Sequence, residues 1–155
     1  MQRYLVLCMA NLLRSPYIEK KWDRMFRERN MDAQVSSAGV STYTVSEGRQ
    51  PVQATKEMLE SADRLFVADR RVEEMVELVF GDYRKKTAVL GIPDIYRSRI
   101  EDKILEGMTP GQAVGYFNSR IHDPSFRIGT RLFDMVVEGK FEELFFPYNL
   151  NKISV

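Results

Sequence analysis

Residues 5–19 read LVLCMANLLRSPYIE, from Leu5 to Glu19. An apolar run ends at Cys8, the only cysteine of the chain, and Arg14 follows after five intervening residues, with Ser15 and Pro16 behind it. Arg3 to Cys8 has the unbroken apolar character of a strand buried on both faces of a parallel sheet. Ser15 and Pro16 mark the start of a helix, since serine caps and proline tolerates the first helical turn. The stretch therefore predicts a strand, a loop carrying one thiol and one guanidinium, and a helix N-terminus.

Such a loop suits an anion. If residues 8–14 curl, successive backbone N–H groups of Met9, Ala10, Asn11, Leu12 and Leu13 form a concave nest. The helix N-terminus adds orphan N–H groups and a positive dipole end. Arg14 offers a planar fork to two oxygens of a tetrahedral anion. Ala10 keeps the loop slim, and Asn11 is one of the few non-glycine residues that adopts a left-handed conformation. A free thiol titrates near ~8.5, and electropositive surroundings at a helix N-terminus lower such values to roughly 3.5–7.5. Cys8 is thus the candidate nucleophile. Ser15 can donate a hydrogen bond to that sulfur or cap the helix, and the two roles are compatible.

Outward from this stretch, strands alternate with helices. Ser15 to about Arg29 is a helix with Ile18, Trp22, Met25 and Phe26 on its inner face. Gln34 to Ala38 is a strand, Gly39 opens a loop, and a helix over about Pro51 to Ser61 turns Val52, Thr55, Met58 and Leu59 inward. Leu65 to Ala68 is a third strand. A helix with Val72, Met75, Val76 and Val79 inward stops near Gly81, and Thr87 to Leu90 is the fourth strand. The pattern predicts a four-stranded parallel α/β sheet flanked by helices, with extra C-terminal helices. Within one domain, residues 1–99 form the core and 100–155 a helical extension. In the extension, Pro110-Gly111 reads as a break, a helix runs from about Gln112 to Ile121, and Asp123-Pro124 opens another carrying Phe126, Leu132, Phe133, Val136 and Val137. Ligands in such folds sit beyond the carboxyl ends of the strands. Cys8, the loop after Gly39, Asp69 and Asp94 all follow strand ends. Asp69 is expected to fix a loop by hydrogen bonds or to pair with Arg14.

At these residues the chain resembles the low-molecular-weight protein tyrosine phosphatases, in particular the shortened bacterial type. The likeness rests on the strand, Cys8, the five-residue gap, Arg14, Ser15 and Pro16, all at the N-terminus, with Asn11 inside the loop and Glu19 beyond it. Residues 37–43, 62–69 and 92–98 resemble later family segments, so the likeness covers about the first two thirds of the chain. It implies a phosphocysteine mechanism in which Cys8 attacks, Arg14 holds the phosphate and Asp94 is the proton donor. Tyr43 and Tyr96 are implied as aromatics at the pocket lip; a half-buried loop role for Tyr43 is the alternative. Three departures stand out: Asp94 is followed by Ile95 instead of proline, the family's frequent second loop cysteine is replaced by Leu13, and the middle section is short. Asp123, with its literal Asp-Pro pair, competes as proton donor, although helix capping accounts for it; His122 reads as a surface or packing residue.

Length and charge set further bounds. A chain of 155 residues with net charge +1 carries no broad basic footprint, so no nucleic-acid partner is expected. No apolar run reaches membrane-spanning length and no leader is evident, so no membrane partner is expected, and the expected location is cytoplasmic. No Cys/His/carboxylate cluster has zinc-like spacing and no nucleotide-binding glycine motif is present, so neither metal nor cofactor is expected. The expected partners are a tyrosine-phosphorylated or small aryl phosphate substrate and inorganic phosphate as product; the oligomeric state stays open. The arsenate reductases of similar fold need further cysteines, which this chain lacks. A phosphate- or phosphotyrosine-binding module with lost turnover is the second reading.

Overall fold

The computed structural model describes residues 1–92, 105–126 and 128–147. They fall into two compact units, Met1–Asp94 and Ile95–Val155. The first unit holds four strands, β1 (Gln2–Cys8), β2 (Ala33–Gly39), β3 (Arg64–Val67) and β4 (Thr87–Val89). Its helices are α1 (Arg14–Glu28), α2 (Lys56–Ser61) and α3 (Arg70–Phe80). All three strand pairings are parallel, and the order is β2-β1-β3-β4. The chain winds to one side of β1 and then to the other. The switch point therefore lies between the carboxyl ends of β1 and β3, where folds of this kind bind ligands.

Period-two alternation assigns the two faces of the sheet. Leu5 and Leu7 of β1 and Leu65 and Val67 of β3 join Leu59, Val72 and Val76 from α2 and α3 in one buried cluster. On the opposite face Tyr4 stacks on Phe26 and meets Phe66 edge-on, while Trp22 of α1 meets Phe66 at 88°. The predicted inner face of α1, Ile18, Trp22, Met25 and Phe26, is buried.

Two expectations for this unit need correction. The second helix begins only at Lys56, because Val52 and Ala54 pair with Gly39 at the end of β2, where Gly39 N donates to Val52 O and Ala54 N to Gly39 O. Val52 is consequently exposed, and Thr55 caps α2 through its side chain instead of facing inward. In α3, Val72 and Val76 are buried but Val79 is 53% exposed, since an 11-residue helix against a four-residue strand covers only its first turns.

The second unit contains α4 (Pro110–Arg120) and α5 (Thr130–Phe145), which pack on each other. Pro110 begins α4 instead of interrupting the chain. Thr109 and Gln112 form a reciprocal capping box, and proline sits where its missing N–H costs nothing. Asp123 likewise caps no long helix: it closes a turn by accepting from Ser125 N and Oγ, and α5 starts at Thr130 behind Gly129. Leu132, Phe133, Val136 and Val137 are buried, as their spacing predicted.

Candidate active site

β1 stops at Cys8 because the next residues leave the ladder and turn under α1. Asn11 makes that turn with φ 55°, a left-handed conformation that asparagine adopts more readily than most side chains. Leu13, at the start of α1, supplies no side-chain cap. Among the described residues, the backbone N–H groups of Met9, Ala10, Leu12 and Leu13 have no hydrogen-bond partner. Successive backbone N–H groups of this kind can form a concave site for an anion.

The side chains around this loop are tightly satisfied, and the donor and acceptor chemistry of Asn11 sets the direction of the bonds it makes. Asn11 is fully buried. One end of its amide faces two obligate donors, Val52 N at 2.9 Å and Arg49 Nη2 at 2.7 Å, so that end is the oxygen. Nδ2 must then donate, and it does so to Ser15 Oγ at 2.8 Å and Ser37 Oγ at 3.0 Å. Ser37, accepting from Asn11, passes its own proton to Glu19 Oε1 at 2.5 Å. Ser15 Oγ, also accepting from Asn11, is hydrogen-bonded to Cys8 Sγ at 2.9 Å, and Ala38 O lies 3.4 Å from the same hydroxyl. The sulfur also accepts the Asn11 N–H at 3.2 Å. Ser15 lies within α1, whose N-terminus carries no side-chain cap, and its hydroxyl is hydrogen-bonded to the thiol.

Arg14 is 4% exposed, and its Nη1 donates to Asp69 Oδ2 at 2.6 Å and to Ile92 O at 2.8 Å. Asp69 meets both expectations at once, because Oδ1 caps α3 by accepting from Val72 N while Oδ2 holds Arg14. This bond spans the switch point, from the loop after β1 to the residue after β3. The loop after β2 is joined to the same place: Val40 N donates to Cys8 O and Ser41 N to Met9 O. At Gly39 a Cβ would stand 2.8 Å from both Ala10 C and Asn11 N, so only glycine lets β2 approach the loop this closely.

Tyr43 is 60% exposed and borders a shallow groove with Thr42, Thr44, Gln50 and Pro51. Asp94 and Tyr96 lie outside the described residues. Asp123 is described: the Ser125 hydroxyl first, then the Ser125 N–H and Arg120, hold its carboxyl below the usual carboxylate value. His122 is exposed. Roomier grooves lie elsewhere in the first unit, one of about 680 Å³ beside Lys56, Tyr83 and Arg84 and one of about 480 Å³ beside Gln34, Ser36 and Met58. Neither contains the cysteine, and one tetrahedral anion needs no such volume. Among the described residues no cluster of His, Cys, Asp and Glu could hold a metal ion, and no helix is long and apolar enough to cross a membrane.

The sequence places Cys8, Asn11, Arg14, Ser15 and Asp69 at one site, and in the structure Asn11 and Ser15 contact Cys8 while Asp69 contacts Arg14; Ser37, Arg49 and the Val52 N–H join the network without having been expected there. The first group is local to one loop or one strand end. The second reaches Asn11 from 26 to 41 residues away, and no periodicity announces it.

No protein-family model and no curated protein matches the chain. Solved structures do. The chain is similar to a low molecular weight phosphotyrosine phosphatase from Vibrio cholerae O395, at 19% identity and TM-score 0.61, over 96% of this chain and 97% of that one. It is similar to the tyrosine phosphatase Wzb from Escherichia coli K30, described in complex with phosphate, at 21% identity and TM-score 0.58, over 92% and 98%. It is also similar to the arginine phosphatase YwlE, from Bacillus subtilis, at 18% identity and TM-score 0.57, over 92% and 90%. The chain shares the fold of these phosphatases: a four-stranded parallel sheet flanked by helices.

Proposed function

We propose that this chain is a cysteine-dependent phosphomonoester hydrolase, a protein tyrosine phosphatase of the low-molecular-weight type. One observation carries the proposal: the Cys8 sulfur is hydrogen-bonded to the Asn11 N–H and the Ser15 hydroxyl, in a loop whose other N–H groups are unpartnered and whose far end is a buried arginine. The shared fold adds to it, since tyrosine phosphatases of this architecture carry their activity on the same scaffold.

In the proposed reaction the loop amides and Arg14 bind the phosphoryl oxygens and hold their charge in the transition state. Cys8 attacks phosphorus in line. The S–P bond forms as the P–O ester bond breaks, and the departing oxygen takes a proton from Asp94. Water then attacks the phosphocysteine and gives its proton to the Asp94 carboxylate. The P–S electron pair returns to sulfur, where the Ser15 hydroxyl donates to it, and inorganic phosphate leaves. Asp94 is favoured as donor because it follows Ile92 by two residues, and the Ile92 carbonyl is bonded to Arg14. Asp123 is the poorer choice, because a general acid needs a raised value and its surroundings lower it. Tyr43 and Tyr96 are assigned to the substrate lip, which suits an aryl ester. The dependence on a reduced thiol fits a cytoplasmic setting.

Turnover of p-nitrophenyl phosphate tests the proposal. Release of p-nitrophenolate, lost in Cys8→Ser, is the expected result. Asp94→Asn should slow hydrolysis of phenyl phosphate, whose leaving group needs the proton, more than that of p-nitrophenyl phosphate. Phosphate binding without turnover would replace the hydrolase with a binding module. A preference for phosphoarginine over phosphotyrosine would move the substrate class.

A further inference from the structure

Arg49 lies on the exposed loop between β2 and α2, and nothing in its sequence neighbourhood ties it to the anion loop. Its guanidinium nonetheless grips Asn11 twice: Nη1 donates to the main-chain carbonyl at 2.9 Å and Nη2 to Oδ1 at 2.7 Å. We propose that Arg49 is a positioning residue that clamps the apex of the Cys8–Arg14 loop in its anion-receptive form. The proposal rests on the phosphate-binding reading above.

The physical reason lies in the peptide unit between Asn11 and Leu12. A trans peptide points its carbonyl and the following N–H in opposite directions. With the Asn11 carbonyl held by Arg49, the Leu12 N–H is turned to the other side of the loop, away from Arg49, where it joins the unpartnered donors. Asn11 is also the left-handed residue of the loop, φ 55°, the point at which a peptide flip costs least relative to the resting state. Two bonds from one rigid fork resist that flip; a single point of contact does not. The second of those bonds also fixes the Asn11 amide, and with it the donors that reach Ser15 and Ser37.

Arg49 is itself presented by a closed loop. Gln50 Nε2 donates to Val45 O and Val45 N donates to Gln50 Oε1, so a reciprocal pair spans residues 45–50. Val52 N completes the hold on Asn11 Oδ1. The loop that carries Tyr43 is thereby mechanically joined to the phosphate loop. A general positive field is the rival account of an arginine near an anion. It differs in one respect: a lysine would serve it equally well.

The test uses the full chain with Arg49→Ala and Arg49→Lys. Three quantities are read: the Kd for inorganic phosphate, kcat and KM on p-nitrophenyl phosphate, and hydrogen exchange of the Asn11 amide without ligand. The clamp predicts phosphate affinity about tenfold weaker or more in both variants. KM should rise more than kcat falls, and Asn11 exchange should accelerate, with Tm within about 3 °C of wild type. Wild-type affinity in Arg49→Lys would overturn the clamp in favour of simple charge. So would Arg49→Ala with unchanged affinity and unchanged Asn11 exchange. If the wild-type chain binds phosphate without turning over, the hydrolase reading fails and the Kd values still judge the clamp. If it binds no phosphate, the binding reading fails and Asn11 exchange alone judges Arg49.

Discussion

Gly39 and Gly139 are both glycines because a side chain would collide, yet they protect different things. At Gly39, in the sheet unit, a Cβ would stand 2.7 Å from Thr42 Cγ2 and 2.8 Å from main-chain atoms of Ala10 and Asn11. At Gly139, in the helical unit, it would stand 2.6 Å from Pro110 O and closer still to a Val114 methyl. The first contact is with the loop that holds Cys8, the second with the helix that α5 packs against. The burial pattern around them differs in the same way. Asn11, Arg14, Ser15 and Ser37 are all buried polar groups of the sheet unit, whereas the helical unit's described core is apolar apart from Glu142. Burying polar side chains is costly unless each is paired, so such a concentration is held in place by its own hydrogen bonds. An apolar core with one close glycine contact marks packing.

The largest effect expected from this contrast is at Gly39. In Gly39→Ala the colliding partners are backbone, which cannot rotate away, so Ala10 and Asn11 must shift. A displacement approaching 1 Å in a positioned site costs about 10²-fold in rate. We expect kcat/KM on p-nitrophenyl phosphate to fall by roughly that factor, with a destabilisation of about 1–3 kcal/mol from overpacking. Denaturant melts together with steady-state kinetics on the folded fraction separate the two. Activity within about twofold of wild type would break the contrast at its stronger end.

Asp69→Asn sharpens it. Asparagine caps helices as well as aspartate does, so α3 should keep its N-terminus. What is lost is the negative charge on Arg14, a group only 4% exposed. We expect kcat/KM to drop about tenfold while the helix content by circular dichroism is unchanged. A variant that loses α3 instead would show that capping, not the ion pair, is the residue's main service.

The order of these effects follows what was legible in the sequence. Cys8, Asn11, Arg14 and Ser15 could be read because one loop carries them all. Each had a local reason: a strand end, a tolerated left-handed turn, a fork, a hydroxyl at a helix start. Asp69 could be read because capping and strand-end position are local too. β1, most of β3 and α1 were legible for the same reason, through apolar runs and a 3.6-residue period. The short α2 was not: residues 51–54 look helical until Gly39 recruits them into pairing, a choice made by a strand twelve or more residues away. Separation along the chain also hid Ser37 and Arg49, which lie 26 and 38 residues from Asn11. Val79 looked inward by spacing, but spacing does not say where the sheet it would cover stops.

Gly139→Ala should be the milder of the two glycine changes for activity and comparable for stability. Alanine in a helix interior is about 1 kcal/mol better than glycine. Overpacking against the Pro110 carbonyl and Val114 opposes this by about 1–3 kcal/mol. The carbonyl belongs to the first turn of α4 and cannot rotate aside, so the net is a loss of about 1–2 kcal/mol, read as a lower Cm at unchanged m. Turnover per folded molecule should stay within about twofold. A loss of turnover as deep as that of Gly39→Ala would erase the distinction between the two units.

Asp123→Asn is the smallest change and the most pointed. Its carboxyl value is lowered by Ser125 and Arg120, so the folded state favours the charged form. The linked stability is therefore complete above the ordinary carboxylate value, 3.8, and disappears as pH falls through the lowered one. At neutral pH the side chain is an acceptor holding a turn, with no proton to give. Asparagine keeps an oxygen for Ser125 and loses only an exposed pair with Arg120, worth little in water. Hydrolysis of phenyl phosphate near pH 7 should accordingly be unchanged in Asp123→Asn and slowed in Asp94→Asn. The reverse result would transfer the proton donor from the sheet unit to the helical one. It would also end the division of labour that the two glycines suggest.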